Sequence, residues 1–243
     1  SPTLNFQVGE IGALPVLSSL DRDSLKELSV NAVSVSTKDW DNYETSWDFS
    51  HTPLLINYKP QTLVTSISQS FVVVNLQYHE LSTKLLEIEN SVNRLIENTY
   101  QLEKTNKSLD DISLFCNPHY RYKGNLTDEE REARLLQDTM KEFLSYAVGC
   151  MFGRYSLDKP GLILANQGET LQDYLRIIGK EPVFTPTETN VIPILDGDWF
   201  ADDVTARFKQ LLKITFGEPN YEENLRFIEG ALGKDLRKYF LKD

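Results

Sequence analysis

The chain has 243 residues, of which 40% are hydrophobic and 11% aromatic. A chain of this length buries roughly 70% of its unfolded surface, and its composition excludes a collagen, a disulfide scaffold and a wholly disordered protein. The formal net charge of −11 excludes a surface that binds nucleic acid all over, because duplex DNA is itself a dense polyanion, but leaves a local basic patch open.

The first 60 residues predict a short β segment followed by a helix. Residues 3–17 alternate apolar and polar positions around two glycines, which indicates a strand and a turn. Ser18 or Ser19 is predicted to cap the helix that follows. Its apolar stripe contains Leu20, Leu25, Leu28, Ala32 and Val35 and continues toward Trp40 and Tyr43.

Residues 61–104 carry the strongest periodic pattern in the chain, an a/d heptad seam in which successive positions are three or four residues apart. The seam consists of Phe71, Val74, Tyr78, Leu81, Leu85, Ile88, Val92, Leu95, Thr99 and Leu102. A helix over 61–104 would be about 65 Å long and cannot bury this seam on itself. We therefore expect it to pack against the predicted helices near 20–43 and 128–152, or against a second copy.

The rest of the chain predicts shorter helices. Thr127 and Glu130 form a capping-box pattern that opens a helix extending to about Phe152. Further helices are predicted over 169–178, 200–216, 220–232 and 234–241. Asp198 is predicted to cap the second of these, and the aspartates around it lack the spacing of a calcium loop. The fold class is therefore mostly α, with a long heptad-repeat helix packed with several shorter helices and a short β segment at the N-terminus.

The sequence Asn117-Pro118-His119-Tyr120 is similar to the Asn-Pro-Pro-Tyr loop of amino-methyltransferases, in which the Asn holds the target amine and the aromatic ring stacks on a flipped base. Here a histidine replaces the second proline. A heptad helix precedes the motif, where a catalytic version needs a Gly-rich loop for S-adenosylmethionine. We interpret it as a turn or an interaction loop and assign no catalytic, cofactor-binding or metal-binding residue.

Residues 119–125 interleave basic and aromatic side chains, a pattern that suits contact with nucleic acid. The candidate DNA-contacting residues are Tyr120, Arg121, Tyr122, Lys123 and Arg154. The alternative is that the tyrosines pack on a helix end while the cations are solvated.

Residues 149–158 are interpreted as a structural keystone. Gly149 permits close approach of a neighbour, and Gly153 can adopt the left-handed conformation that ends a helix. Arg154 then lies near the negative end of the helix dipole, with Asp158 as its expected partner. Cys150 is expected to be buried and unreactive. The competing interpretation is a DNA-facing loop with Arg154 on a phosphate.

The cysteine content and the lack of recognisable targeting or membrane-spanning segments indicate the cellular compartment. The two cysteines form no CxxC pair and predict free thiols in a reducing cytoplasm. No stretch approaches the ~18 apolar residues of a membrane span, and no signal peptide is recognisable. The chain starts without an initiator methionine and stops within an amphipathic pattern, so we expect a fragment of a longer protein.

Several distinctive stretches resemble one family, and the resemblance extends over nearly the whole chain. They are residues 40–41, 44–49, 146–158, 161–165, 191–200 and 231–240. All of them are similar to the adenine-specific DNA methyltransferases of BREX phage-defence systems, the PglX family, which is related to type II enzymes that join methylase and specificity parts. Residues 5–9 and 14–15 resemble the last strand of a target-recognition domain.

The resemblance implies a non-catalytic, C-terminal, recognition-side fragment of a site-specific DNA N6-adenine methyltransferase that positions DNA or the recognition domain. The family's S-adenosylmethionine loop and Asn-Pro-Pro-Tyr motif lie upstream, so S-adenosylmethionine is expected to bind the parent protein and not this fragment. The implied divisions are the end of a target-recognition-like region plus a helix (1–58), a coiled-coil-like helix (59–108) and a helical C-terminal domain (109–243).

The partners implied by the resemblance are DNA through the parent protein, the upstream methyltransferase and target-recognition domains, and other phage-defence proteins, in the cytoplasm and without a membrane. The alternative interpretation is a coiled-coil protein–protein interaction module with no direct DNA contact. The net charge favours this alternative, whereas the basic residues of 119–123 favour local contact with DNA.

Overall fold

The computed structural model describes residues 9, 12–13, 15–56, 58, 65–197 and 199–242. The α-helices of these residues, in chain order, are α1 (Arg22–Trp40), α2 (Ile67–Tyr100), α3 (Pro118–Arg121), α4 (Asp128–Met151), α5 (Leu171–Ile178), α6 (Val204–Phe216), α7 (Tyr221–Leu232) and α8 (Leu236–Lys242). Single 3₁₀ turns occur at Pro53–Leu55, Leu109–Asp111 and Glu218–Asn220. The predicted mostly α class is confirmed.

The predicted N-terminal β segment over 3–17 falls mainly on residues outside the described part of the chain. Its last three residues, 15–17, are described and form no strand. They are fixed instead by Tyr100, whose hydroxyl donates to the Pro15 carbonyl at 2.6 Å. The start of the described chain is therefore attached to the far end of α2.

Helix α1 begins later than predicted, because its cap is Asp21 rather than Ser18 or Ser19. The Asp21 carboxylate accepts from the Ser24 backbone N–H at 3.1 Å and from the Ser24 hydroxyl at 2.7 Å. A carboxylate suits this position because the first N–H groups of a helix have no partner within it. The hydrogen bonds from Ser24 also hold the pKa of Asp21 below its ordinary value.

Helix α2 is shorter than the predicted helix over 61–104. Ser66 and Gln69 form a reciprocal capping box at its start, while residues 61–64 lie outside the described residues. It ends at Tyr100, since Gln101 adopts a left-handed conformation with φ of 55°. The predicted extension to 104 is therefore wrong, and Leu102 is 57% exposed beyond the helix end.

The heptad seam of α2 is buried in part against this chain, as the internal version of the prediction expects, whereas its members from Val92 onward are half-buried or exposed. Its buried members are Val74, Tyr78, Leu85 and Ile88. The most extensive helix contact is with α1. The pair is antiparallel. The segment before α1 contacts Tyr100, the last residue of α2. Asp39, near the end of α1, accepts from the Cys116 backbone N–H, and the Cys116 thiol contacts the carbonyl of Tyr78 in the first half of α2.

Two other helices contact α2, and one of them was not predicted. Asn75 donates to Glu132 of α4 at 2.8 Å, which supports the predicted contact with the helix near 128–152. The unpredicted partner is α7, where the fully buried Asn224 accepts from the Ile67 backbone N–H at 2.9 Å. A side chain 157 residues away thus satisfies one of the free N–H groups at the start of α2.

Helix α4 connects α2 and α3 to the C-terminal helices. Its predicted capping box between Thr127 and Glu130 is confirmed. Phe143, at the centre of its buried face, makes edge-to-face contacts with Phe208 and Phe216 of α6, with ring centroids 5.7 and 5.8 Å apart. The core of the described residues contains side chains from both the α1–α2 pair and the C-terminal helices.

Helix α6 begins at Val204, four residues after the predicted start. Its cap is Asp203, which accepts from the Ala206 backbone N–H at 2.8 Å and pairs with Arg237 at 2.7 Å. The predicted cap, Asp198, lies outside the described residues. Among the residues that are described, no helix is both long enough and apolar enough to cross a membrane.

Candidate functional site

The candidate site begins with the connection between α2 and α3, which Asp39 holds against the α1–α2 pair. The buried Asp39 carboxylate accepts from the backbone N–H groups of Phe115 and Cys116 at 2.7 and 2.9 Å. The Cys116 thiol lies 3.7 Å from the carbonyl oxygen of Tyr78 on α2. One carboxylate therefore fixes where the basic and aromatic segment after Cys116 leaves the core.

Asn117, the first residue of the motif that resembles a methyltransferase loop, is a structural cap. Its side-chain amide donates to the carbonyls of Leu109 and Ile112, both at 2.7 Å, and its side-chain oxygen accepts from the His119 backbone N–H at 3.1 Å. The side chain is buried. Its hydrogen-bonding groups are occupied by this turn, which supports the interpretation of residues 117–120 as a turn.

Arg121 is paired with acidic side chains rather than solvated. Its guanidinium pairs with Glu142 at 2.8 Å and with Asp138 at 3.3 Å, both on α4. It also lies over the rings of Tyr43 and Phe115, 5.7 and 5.9 Å from their centroids. The Tyr122 ring is also close, with its centroid 5.5 Å away. The solvated cation of the alternative interpretation is therefore wrong for Arg121, because two carboxylates and three aromatic rings surround it.

The two tyrosines of the segment have different partners, since Tyr122 contacts a carboxylate of α4 and Tyr120 contacts Lys123. The Tyr122 hydroxyl donates to Asp138 at 2.8 Å, and burial, together with that carboxylate, raises the Tyr122 pKa. Burial also raises the pKa of Glu142, against the opposing effect of Arg121. Tyr120 faces the other cation of the segment, since the Lys123 ammonium lies 4.6 Å from its ring centroid. Arg121 and Tyr122 thus brace the fold, whereas Lys123 is exposed.

The keystone interpretation of residues 149–158 agrees with the packing. A Cβ on Gly149 would lie 2.5 Å from the ring of Tyr155, and Gly153 has φ of +75° after the end of α4. The Tyr155 ring stacks on Tyr146 with centroids 5.3 Å apart. Cys150 is buried, and burial raises its thiol pKa to about 12.

The expected pair between Arg154 and Asp158 is wrong. Asp158 instead pairs with Lys180 at 2.7 Å and accepts from the Val183 backbone N–H at 2.9 Å, which ties it to the segment after α5. The Arg154 guanidinium lies over the Tyr155 ring, 5.5 Å from its centroid, and the residue is exposed. Arg154 therefore remains accessible to a partner.

Arg121 and Arg154, which are 33 positions apart in sequence, line two adjacent hollows. The Arg121 hollow has a volume of about 240 Å³ and the Arg154 hollow about 210 Å³. Glu44, Thr45 and Phe49 line both hollows. The structure thus brings these two candidate residues to neighbouring positions on one surface, separated by the loop that follows α1.

Sequence reasoning missed the most exposed aromatic residue of this surface. Trp47 lines the Arg154 hollow and is 92% exposed. It lies at the tip of a tight loop in which the Ser46 hydroxyl donates to Asp41 at 2.6 Å and accepts from the Asp48 backbone N–H at 3.1 Å. The serine between two aspartates signals a turn, but no pattern in the sequence shows that the tryptophan points away from the core.

The described residues contain no cluster of three or more histidine, cysteine or acidic side chains placed to hold a metal ion. What they define is a helical protein with an acidic composition, in which carboxylates brace Arg121 and the exposed Phe115 and Trp47 border two small hollows. No protein-family model matches the chain.

Two curated relatives are similar to nearly all of the chain. One is the adenine-specific methyltransferase BrxX of Escherichia coli O9:H4 (strain HS), 36% identical over 233 residues, or 95% of this chain. The other is the adenine-specific methyltransferase PglX of Lacticaseibacillus casei (strain Zhang), 34% identical over 236 residues, or 96% of this chain. The chain spans only 18% of the length of each relative. The predicted resemblance to the BREX adenine-specific methyltransferases is confirmed, and it relates this chain to a limited segment of those proteins.

Proposed function

We propose that the chain is a non-catalytic segment of a site-specific DNA N6-adenine methyltransferase of a phage-defence system, acting in the cytoplasm. It holds the recognition and methylase parts of such an enzyme in register through protein contacts. S-adenosylmethionine and the catalytic loop belong to other parts of that enzyme. The similarity to adenine-specific methyltransferases over 95% of this chain but 18% of their length supports this assignment.

The observation that carries the register-holding role is the arrangement around Arg121. A residue that contacts DNA must keep its cation available to phosphate, because phosphate neutralisation supplies most of the affinity. The Arg121 guanidinium forms ion pairs with Asp138 and Glu142, and the Tyr122 hydroxyl donates a hydrogen bond to Asp138. The basic and aromatic segment therefore fastens α3 to α4, in an overall acidic protein.

A second candidate function, local contact with DNA, rests on the cations that remain exposed. Lys123 and Arg154 are both accessible, and each lies over a tyrosine ring, Tyr120 and Tyr155 respectively. Proteins that bind single-stranded nucleic acid combine cations for the phosphates with accessible aromatic rings on which bases stack. Only the Lys123–Tyr120 pair fits this arrangement, because the Tyr155 ring beneath Arg154 is buried. Glu44 weighs against it at Arg154, because it lines the same hollow.

The purified chain is expected to bind no S-adenosylmethionine by calorimetry and to transfer no methyl group to adenine-containing duplex DNA. The reason is that its one motif similar to the catalytic loop uses Asn117 to cap a helix and close a turn. Radiolabelled methyl transfer measures the second property directly. Methylation by the purified chain would refute the non-catalytic assignment.

Variants of the three basic residues separate the two candidate functions by stability and by the salt dependence of DNA binding. Arg121→Met is expected to lower the free energy of unfolding by about 1–3 kcal/mol. This cost is partial because Asp138 and Glu142 retain some contact with water. Lys123→Ala and Arg154→Ala are expected to leave both the unfolding free energy and the salt slope of any duplex binding unchanged. If either change lowers that slope by about one, the residue contacts a phosphate and the second candidate function is correct.

A further inference from the structure

The two hollows and three exposed aromatic side chains form one continuous surface, here called the aromatic face. Trp40 contacts Phe115 with ring centroids 6.2 Å apart, and Phe115 lines the Arg121 hollow. Glu44 and Thr45 separate that hollow from the Arg154 hollow, which Trp47 lines. The exposed fractions of Trp40, Phe115 and Trp47 are 45%, 50% and 92%.

The aromatic face is preorganised. Phe49, two residues after Trp47, is buried and makes edge-to-face contacts with Tyr146 and Tyr155, at centroid distances of 6.0 and 5.2 Å. Asp39 fixes the backbone at Phe115. Because the backbone is already fixed, the conformational entropy lost on binding is limited to that of the side chains, and tryptophan is enriched among the residues that dominate binding energy.

The charges of the aromatic face define the chemistry of its partner. Glu44 lies between the hollows, Asp48 is exposed beside Trp47, and Glu142 lines the Arg121 hollow. Glu142 is paired with Arg121. The carboxylates left for a partner are therefore those of Glu44 and Asp48, beside the exposed cation Arg154. Such a surface repels phosphate and attracts lysine or arginine, whose cations also bind favourably over an indole ring.

We propose that the aromatic face docks a basic polypeptide segment from the remaining part of a methyltransferase similar to the relatives, with one side chain in each hollow and a cation over Trp47. This inference rests on the proposed function. The relatives supply the reason for choosing this occupant, since most of their length lies outside the segment that this chain matches. The volumes of about 240 and 210 Å³ suit single side chains rather than a small-molecule cofactor, whose sites occupy about 300–1,000 Å³.

Site-specific photo-crosslinking in the full-length methyltransferase that carries this chain tests the proposal. The photoreactive residue p-benzoylphenylalanine replaces Trp47, and in a matched control it replaces Trp199, which is 75% exposed on a different segment. The expected result is an intramolecular crosslink from position 47 to a peptide that lies outside these 243 residues and contains lysine or arginine, with no such crosslink from position 199. Adding Glu44→Lys is expected to lower the yield of that crosslink several-fold.

A crosslink to a second copy of the protein, to DNA or to another protein would overturn the proposal, as would no crosslink from position 47. Thermal unfolding of each variant checks that a lost crosslink does not come from a lost fold. Methyl transfer to DNA is measured in the same preparation. Methylation without the expected crosslink refutes the docking proposal alone, whereas absence of methylation in the unmodified full-length protein refutes the proposed function.

Discussion

Asp39→Ala is expected to lower the free energy of unfolding by about 1–4 kcal/mol, because a buried donor left without an acceptor costs about 1–3 kcal/mol and a partly buried donor costs less. The two donors are the backbone N–H groups of Phe115 and Cys116, which lie 76 and 77 residues away in sequence. Nothing local to the turn replaces an acceptor that comes from another helix. Since domains are stable by only about 5–15 kcal/mol, this loss is a large fraction of the total stability. Urea unfolding followed by circular dichroism measures the change.

Two further variants make the result specific to the carboxylate. Asp39→Asn keeps one acceptor oxygen and is expected to lose about half as much stability. Glu27→Ala removes an exposed carboxylate from the same helix, α1, and is expected to change stability by less than about 0.5 kcal/mol. Equal unfolding midpoints for Asp39→Ala and Glu27→Ala would show that the bidentate contact contributes nothing to stability.

Gly149→Val is expected to lower the free energy of unfolding by about 3 kcal/mol, at the upper end of the cost of overpacking a filled core. The added Cβ would lie 2.5 and 2.8 Å from two carbons of the Tyr155 ring. That ring cannot move aside easily, because it is buried between Tyr146 and Phe49. Thermal or urea unfolding measures the loss.

Gly230→Val is the matched control, since Gly230 is also a helical glycine and a Cβ there would have no atom within 4 Å. Valine and glycine differ by only a few tenths of a kcal/mol in helix propensity, so this change is expected to be nearly neutral. If the two valine variants were equally stable, the close approach of Tyr155 would not be what requires a glycine at position 149.

The sequence predicted a helix end correctly where the interactions that fix it lie within a few residues of each other. Thr127 and Glu130 satisfy each other's backbone donors within one turn, so their spacing alone located the start of α4. The cap of α1 was misplaced because serine and aspartate compete for the same role, and the first acidic residue after Ser18 and Ser19, Asp21, is the one that accepts from Ser24. Likewise, the heptad pattern predicted a helix beyond Tyr100 although the backbone turns at Gln101.

The candidate site was less predictable, because the accessibility of a side chain depends on residues distant in sequence. The interleaved cations and tyrosines of 119–123 are read directly from the chain. Whether Arg121 is available to a partner depends on Asp138 and Glu142, which α4 places against it. The same holds for Arg154, which lies over Tyr155, while the expected partner Asp158 pairs with Lys180.

The sequence by itself determined the helical class, most helix positions and the relationship to the adenine-specific methyltransferases, because periodicity, capping and identity are properties of short or aligned stretches of chain. Only the tertiary structure decided that α2 packs on α1 and α7, that Arg121 is an internal brace, and that Trp47 is exposed beside Arg154. These features arise when segments up to 157 residues apart meet. Burial and ion pairing depend on contacts between these segments, so neither can be deduced from one segment alone.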